Sequence, residues 1–462
     1  MDYSKKYFVL SIVTLGQLMA AIDSTIVFLA MPAMGQYFHA GISYMTWIIV
    51  GYILSSTVIM IPSSEIIKKF GKKRIYLYGF LIFALSSLVI VFSVNVYMAI
   101  IFRFVEGIGA GILGSTGIPI LLDAFPPMEK GRAVGISSIS WAIGTLIGPV
   151  LGGYLVLYDW RYIFLINVPI GIVAYIMGQY RITRYESDRK ARVSLLPSYG
   201  LAVFLIPLIV FLSFLNYYAL IVTIVAVPFF AYTQLKKPVI PKILLKNRYY
   251  LGILISSTFQ AISFFGVMYA LSYYFQIDLG VSSFTAAIYI FAYPLASIIA
   301  NPIGGYLLDR TGRGLFIMIV GLMMQFIGIF MVGYTFLYIP EMLFLAGFGG
   351  SLFWAPSTTM TVEAAGPAYR NIANSSLFTM RNLSLVIGIS LLPVFLLKFS
   401  NYKISSGYIL SYVHSNISAG TGFYLMMIGV LSLVSIVPLL MVYSSGKKPN
   451  IISESVLKSG KL

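Results

Sequence analysis

Residues 141–171 read WAIGTLIGPVLGGYLVLYDWRYIFLINVPIG, and their spacing decides what kind of molecule this is. Gly144, Gly148 and Gly152 recur every fourth residue, which sets them on one face of a helix, with Pro149 and Gly153 beside that face. A face without side chains lets a neighbouring helix come almost to backbone contact, which is how helices associate in lipid. In a soluble helix the same stripe would be ordinary small-residue packing, so its meaning depends on what surrounds it.

What surrounds it is apolar. Hydrophobic residues make up 59% of the 462 and charged residues only 10%, against about 25% charged in a soluble domain. Apolar runs of roughly 20 residues recur from end to end, each able to cross about 30 Å of hydrocarbon. Strands do not run that long, and barrels show only short alternation, so the sequence predicts an all-α polytopic membrane protein. There is no cysteine, hence no disulfide or thiolate site. The two histidines, His39 and His414, are placed in loops on one side, which disfavours a histidine metal site or triad; no metal is expected. No GxxxxGK[ST] loop is present, so ATP is not a direct energy source for this chain. Lys5 and Lys6 before an apolar run mimic a signal peptide, but that run is long and carries Asp23, which fits a retained first span.

Fourteen spans are predicted, near 7–32, 43–62, 75–94, 97–119, 133–156, 162–180, 196–213, 217–235, 250–274, 283–305, 315–335, 341–362, 372–397 and 421–443. The stretch 193–235 lacks any charge and is long enough for about two crossings. Arg181, Arg184, Arg189, Lys190 and Arg192 precede it, and Lys236, Lys237, Lys242, Lys246 and Arg248 follow it. Both basic flanks belong in the cytoplasm, so the crossings between them are even, with a turn near Asn216. With both termini cytoplasmic, 26 of the 31 Lys and Arg fall inside and three (Arg161, Lys398, Lys403) outside; Arg103 and Arg381 lie within spans. The formal charge of +17 is thus explained by orientation and contact with anionic lipid, not by nucleic acid. A multi-pass cell-membrane location follows.

The chain divides as a six-span bundle over 1–181, basic loops flanking two inserted spans over 182–248, a second six-span bundle over 249–445, and a tail at 446–462. Loops match between the halves. After the tenth span stands GYLLDRTGR, residues 305–313, with Asp309, Arg310, Gly312 and Arg313; after the second stands SEIIKKFGKK, residues 64–73, with Gly71, Lys72 and Lys73. Matching loops at matching places suggest duplicated halves, as in many transporters.

These residues resemble the major facilitator superfamily, and within it the fourteen-span drug:proton antiporters. Asp23-Ser24-Thr25-Ile26-Val27 with Ala30 and Pro32 looks like that branch's first-span signature, and Trp47, Tyr52 and Pro62 fit its second span. Arg103-Phe104-Val105-Glu106-Gly107 resembles the fourth-span motif, usually written with Gln where this chain has Glu106. Gly144, Gly148, Pro149, Gly152 and Gly153 resemble the fifth-span antiporter motif; Trp160-Arg161 with Asn167, Pro169 and Gly171 matches the next segment, and Arg381-Asn382 with Gly388 the thirteenth span. The likeness implies a face of the fifth span that meets the opposing half and bends during alternating access. Two positions depart from the pattern: in the first cytoplasmic gate loop Lys68 replaces the family's Asp and Ser64 its leading Gly, so the acidic member of the usual clasp is expected only at Asp309, with Glu65 a conceivable substitute one turn earlier.

Ionisable groups inside a span are costly and mark function by default. Asp23 and Glu106 each lie nine residues from the outer ends of their spans, about 13 Å deep, and Arg103 is one turn from Glu106. Because the first and fourth spans of the resembling fold line one cavity, Asp23, Arg103 and Glu106 are predicted to form one proton-coupling and substrate site. Two acids and one fixed cation accept either a proton or a cationic group, the minimum for exchange. Trp47, Tyr52, Trp141 and Trp354 are candidate cavity aromatics for lipophilic cations. Asp123 and Glu363 sit near cytoplasmic ends, as solvated interface residues, and Arg381 is close enough to the inner end of its span to snorkel.

The leading expectation is a proton-coupled exporter of hydrophobic or cationic small molecules, with the proton as coupling ion, no other cofactor, the bilayer and a small-molecule substrate as partners, and a monomeric state. The alternatives are a metabolite or lipid carrier of the same fold, by antiport or symport, and a non-transporting receptor. An enzyme is disfavoured because no nucleophile–base pair appears.

Overall fold

A computed structural model describes residues 6–126, 129–182, 195–236, 238, 240–366, 369–399 and 417–444, and all regular elements among them are helical. Arg184, Arg189, Lys190, Arg192, Lys237, Lys403, His414 and the tail from 446 lie outside the described residues.

The first unit begins with α1 (Lys6–Ile26), which tightens into a 3₁₀ turn at Val27–Leu29, and α2 (Met31–Phe38), ending at exposed His39. Then come α3 (Ile42–Met60), α4 (Ser63–Phe70), α5 (Lys72–Val91), α6 (Val96–Ala124), α7 (Lys130–Val156), α8 (Tyr162–Leu165) and α9 (Asn167–Arg181). The inserted pair is α10 (Leu196–Phe214) and α11 (Tyr217–Lys236). After short α12 (Lys242–Lys246) follow α13 (Arg248–Tyr273), α14 (Ser283–Thr311), α15 (Gly314–Thr335), α16 (Ile339–Ala365), α17 (Arg370–Phe399), α18 (Ile417–Val434) and α19 (Ile436–Ser444).

Local chemistry sets these boundaries. Asn95 caps α6, its side-chain oxygen accepting from the Met98 N–H at 2.9 Å. Asn247 caps α13, accepting from the N–H groups of Tyr249 and Tyr250. The uncharged stretch breaks where expected: Leu215 adopts φ 50°, ending α10, and the Asn216 side chain accepts from the N–H groups of Tyr218 and Ala219, starting α11.

Among the described residues, thirteen helices are long and apolar enough to cross a membrane. The fourteenth expected crossing is α16, which is 27 residues long but less apolar than the rest. Its Glu341, its cluster of Gly347, Gly349 and Gly350, and its threonines dilute the hydropathy that the sequence reading relied on.

The helices gather into two compact units. One is built from described residues within Met1–Lys237 and Phe275–Ile288, the other from those within Pro238–Tyr274, Tyr289–Tyr402 and Ser415–Leu462. In the first, α1 packs on α6, α7 and α9, while α6 also packs on α3 and α5. The inserted α10 rests on α3, where the Ser43 hydroxyl donates to the Ser213 carbonyl at 2.8 Å. In the second, α13 packs on α16, α17 and α18, and α15 on α16 and α18.

Bare glycine backbones weld corresponding helices in each unit. A Cβ on Gly107 of α6 would stand 2.2 Å from the Tyr52 carbonyl of α3, and one on Gly347 of α16 would stand 2.2 Å from the Tyr293 carbonyl of α14. One on Gly109 would meet the Phe83 nitrogen at 2.8 Å, and one on Gly349 the Gln325 nitrogen at 2.6 Å. The same contacts therefore recur between counterpart spans.

Candidate functional site

Arg103 and Glu106 sit one turn apart on α6, and α6 lies so close to α3 that their side chains are enclosed by helices. Asp23 approaches from α1, four residues before the 3₁₀ turn. The structure brings all three together: Arg103 is 1% exposed, and Asp23 and Glu106 are 0% exposed. One guanidinium nitrogen, Nη1, donates to Asp23 Oδ2 at 2.8 Å and to Glu106 Oε2 at 2.7 Å, while Nε donates to the Ile48 carbonyl at 3.0 Å. The Asn167 amide, from the start of α9, donates to Asp23 Oδ1 at 3.1 Å, and the Ser87 hydroxyl of α5 hydrogen-bonds Glu106 Oε1. The Tyr52 ring lies 4.3 Å from the guanidinium carbon and the Phe164 ring 5.5 Å from it.

With both acids ionised the cluster carries one net negative charge in a low-dielectric interior, where unpaired charge is expensive. One proton, or one cation drawn near, neutralises it. Asn167 and Ser87 complete this network, and neither was singled out for it from sequence. Asn167 was visible only as part of a motif, and Ser87 only as a hydroxyl in an apolar run, a common sight in membrane helices.

The candidate aromatics disperse. Tyr52 is part of the cluster. Trp47 is buried and stacks on Phe104, with centroids 6.2 Å apart. Trp141 is half-buried on α7, and Trp354 is half-buried on α16, against the Arg381 guanidinium.

The glycine stripe of α7 packs on α1. A Cβ on Gly144 would lie 2.7 Å from that of Ala21, on Gly148 2.0 Å from Thr25 Oγ1, and on Gly152 2.4 Å from the Ile26 carbonyl. Pro149 lies within α7. Gly153, on the neighbouring face, meets Ser283 and Ala287, and its carbonyl accepts from the Ser283 hydroxyl at 2.8 Å. The stripe thus serves the first span, and only its flank reaches α14.

At the two matching loops Gly71 takes φ 86° between α4 and α5, and Gly312 takes φ 62° after α14. Lys72 forms an ion pair with Asp123 of α6, and Lys73 donates to the Gln179 carbonyl at 2.6 Å. Lys6 pairs with Glu129 at 2.7 Å. Asp309 is exposed and joins no ion pair among the described residues, while Arg310 reaches the Tyr306 hydroxyl at 3.4 Å and Arg313 is exposed. Among the described residues the paired acid of these loops is Asp123 of α6, because the helix end carries it over Lys72. Asp123 is therefore more than a solvated interface residue.

Comparison with known proteins agrees with this architecture. The chain matches the Major Facilitator Superfamily over residues 13–389 and 253–451, and it belongs to that family. It is 28% identical to the riboflavin transporter RibZ of Clostridioides difficile (strain 630), over 86% of this chain and 90% of that one. It is 26% identical to the methylenomycin A resistance protein of Bacillus subtilis (strain 168), over 87% of this chain and 90% of that one. Among solved structures, a bacterial homologue of the human lysosomal transporter Spinster, inward-facing and unoccupied, superposes with TM-score 0.67 at 15% identity, covering 96% of this chain and 97% of that one. The inward-open xylose transporter XylE of E. coli gives TM-score 0.63 at 13% identity, covering 97% and 96%. These relatives and neighbours are transporters, not enzymes, and the chain is a multi-pass membrane protein of the transporter class.

Proposed function

We propose that this chain is a monomeric carrier of the cell membrane with fourteen spans and cytoplasmic termini, exporting hydrophobic, often cationic compounds in exchange for protons by alternating access. The observation that carries the reading is the sharing of one arginine nitrogen by two fully buried carboxylates. Asp23 receives a guanidinium N–H and an amide N–H, groups that only donate, so it stays a carboxylate. Glu106 faces the Ser87 hydroxyl, which either donates or accepts, so Glu106 tolerates both protonation states and is the exchangeable position. A proton there and a cationic solute exclude one another, and no cofactor besides the proton is required.

Each charge entering down 100 mV contributes about 2.3 kcal/mol, roughly fiftyfold accumulation of a neutral solute. For a monocation exchanged one for one, the voltage contributions cancel and the pH gradient alone drives export. The decisive experiment uses proteoliposomes with an imposed pH gradient and a panel of lipophilic cations, neutral dyes and riboflavin. Gradient-dependent uptake by inside-out protein supports the reading, and solute movement indifferent to the gradient refutes it. A second reading, a metabolite carrier, is favoured by the likeness to a protein described as a riboflavin transporter; preferential movement of riboflavin over the cations would select it.

A further inference from the structure

The second unit holds a cation that the acid cluster does not explain. Arg381 lies within the membrane-spanning part of α17, half-buried, its guanidinium carbon 5.2 Å from the Phe265 ring and 5.2 Å from the Trp354 ring. Its guanidinium is directed to these two rings. Phe265 stands seventeen residues into α13, about 25 Å from that helix's start, and Trp354 eleven residues before the end of α16, about 16 Å from it. Rings at those positions hold the charge against the middle stretches of two helices. Among the described residues no carboxylate pairs with it, and no hydrogen bond engages its N–H groups. The contrast with Arg103 is complete, since that guanidinium has two acids and a carbonyl.

We propose that Arg381, with Phe265 and Trp354, is a receptor for the carboxylate of an aromatic acid carried as solute. A guanidinium in a poorly solvated place needs a counter-charge, and none of the described residues supplies one. Its planar fork offers paired N–H donors that match a carboxylate. The two rings flank the arginine without hydrogen-bonding its N–H groups, and they offer aromatic surface to the body of the same solute. Elsewhere in the same unit the buried polar groups Gln260 and Gln325 are neutral and hydrogen-bond each other at 3.1 Å, and the Gln260 amide also reaches the Gly350 carbonyl.

The inference rests on the chain being a small-molecule carrier, but its test requires neither a proton gradient nor turnover, so the two readings fail separately. Full-length protein in lipid nanodiscs is titrated calorimetrically with 2-naphthoate and with its uncharged twin, 2-naphthamide. Wild type is expected to bind naphthoate at least tenfold more tightly than the amide, and Arg381→Gln to lose that preference. Arg381→Lys keeps the charge and the fold but not the fork, and is expected to bind naphthoate at least threefold more weakly than wild type. Equal affinity of wild type for the two probes overturns the proposal, as does an undiminished preference in Arg381→Gln or unchanged affinity in Arg381→Lys. Chloride or inorganic phosphate displacing naphthoate at equal concentration overturns the aromatic-acid assignment, because the rings would then play no part.

Discussion

Single side chains test the proposal that the first unit stores a proton. Asp23→Asn keeps the volume and removes the charge that Arg103 faces. Export driven by a pH gradient in inverted vesicles is expected to fall to background at normal protein levels; export at the wild-type rate would remove Asp23 from the coupling scheme. Glu106→Gln mimics a permanently protonated acid, and residual transport in that variant is expected to lose its dependence on pH. Truncating Arg103 to Leu strands two buried acids without their cation, a loss of about 3–5 kcal/mol in such settings. A clearly lowered thermal midpoint in detergent is expected, and pairing Arg103→Glu with Glu106→Arg tests for a purely structural bond, since full rescue of transport by the swap would favour that role. The three charges were legible because each stands alone in an apolar run. Arg381 was legible as a charge, but its direction was not, because only the packed rings of Phe265 and Trp354 show which way it points.

Helices contribute through contact faces that tolerate no added atoms. Gly148 is the sharpest case on α7, since a Cβ would stand 2.0 Å from Thr25 Oγ1. Gly148→Val is expected to cost about 1–3 kcal/mol through overpacking and to stop turnover in proteoliposomes while binding survives; wild-type turnover would mean that the α1–α7 contact yields easily. The four-residue spacing made this face readable from sequence, as did the glycines of α6. Which helix each face meets was not readable, because periodicity gives a face and no neighbour. The same limit hid the Lys72–Asp123 pair, whose members are 51 residues apart and meet only when α5 and α6 are packed. It bears on Asp309 too, where the motif is present and no ion-pair partner lies among the described residues.

At the scale of the whole molecule, apolar run length and Lys/Arg asymmetry made the helical membrane class and the division into many spans legible, while the less apolar α16 shows where composition stops being decisive. A chain without cysteine offers a direct test of the proposed topology. Single cysteines placed at His39 and Tyr158 are expected to react with an impermeant maleimide from outside intact cells, and one at Thr311 only after permeabilisation; the reverse pattern would overturn the assigned orientation. The glycine welds recur in both units, at Gly107 on Tyr52 and Gly347 on Tyr293, yet the residues beside them do not. Where α6 carries Arg103 and Glu106 just before its weld, α16 carries Leu343 and Ala346 at the same offsets, both fully buried. The two units thus share these joints, while the buried acids stand beside the joint of one unit only. On the proposed function, a chimaera that grafts the later half of a relative onto the earlier half of this chain would keep the acid cluster whole, whatever cargo the new half admits.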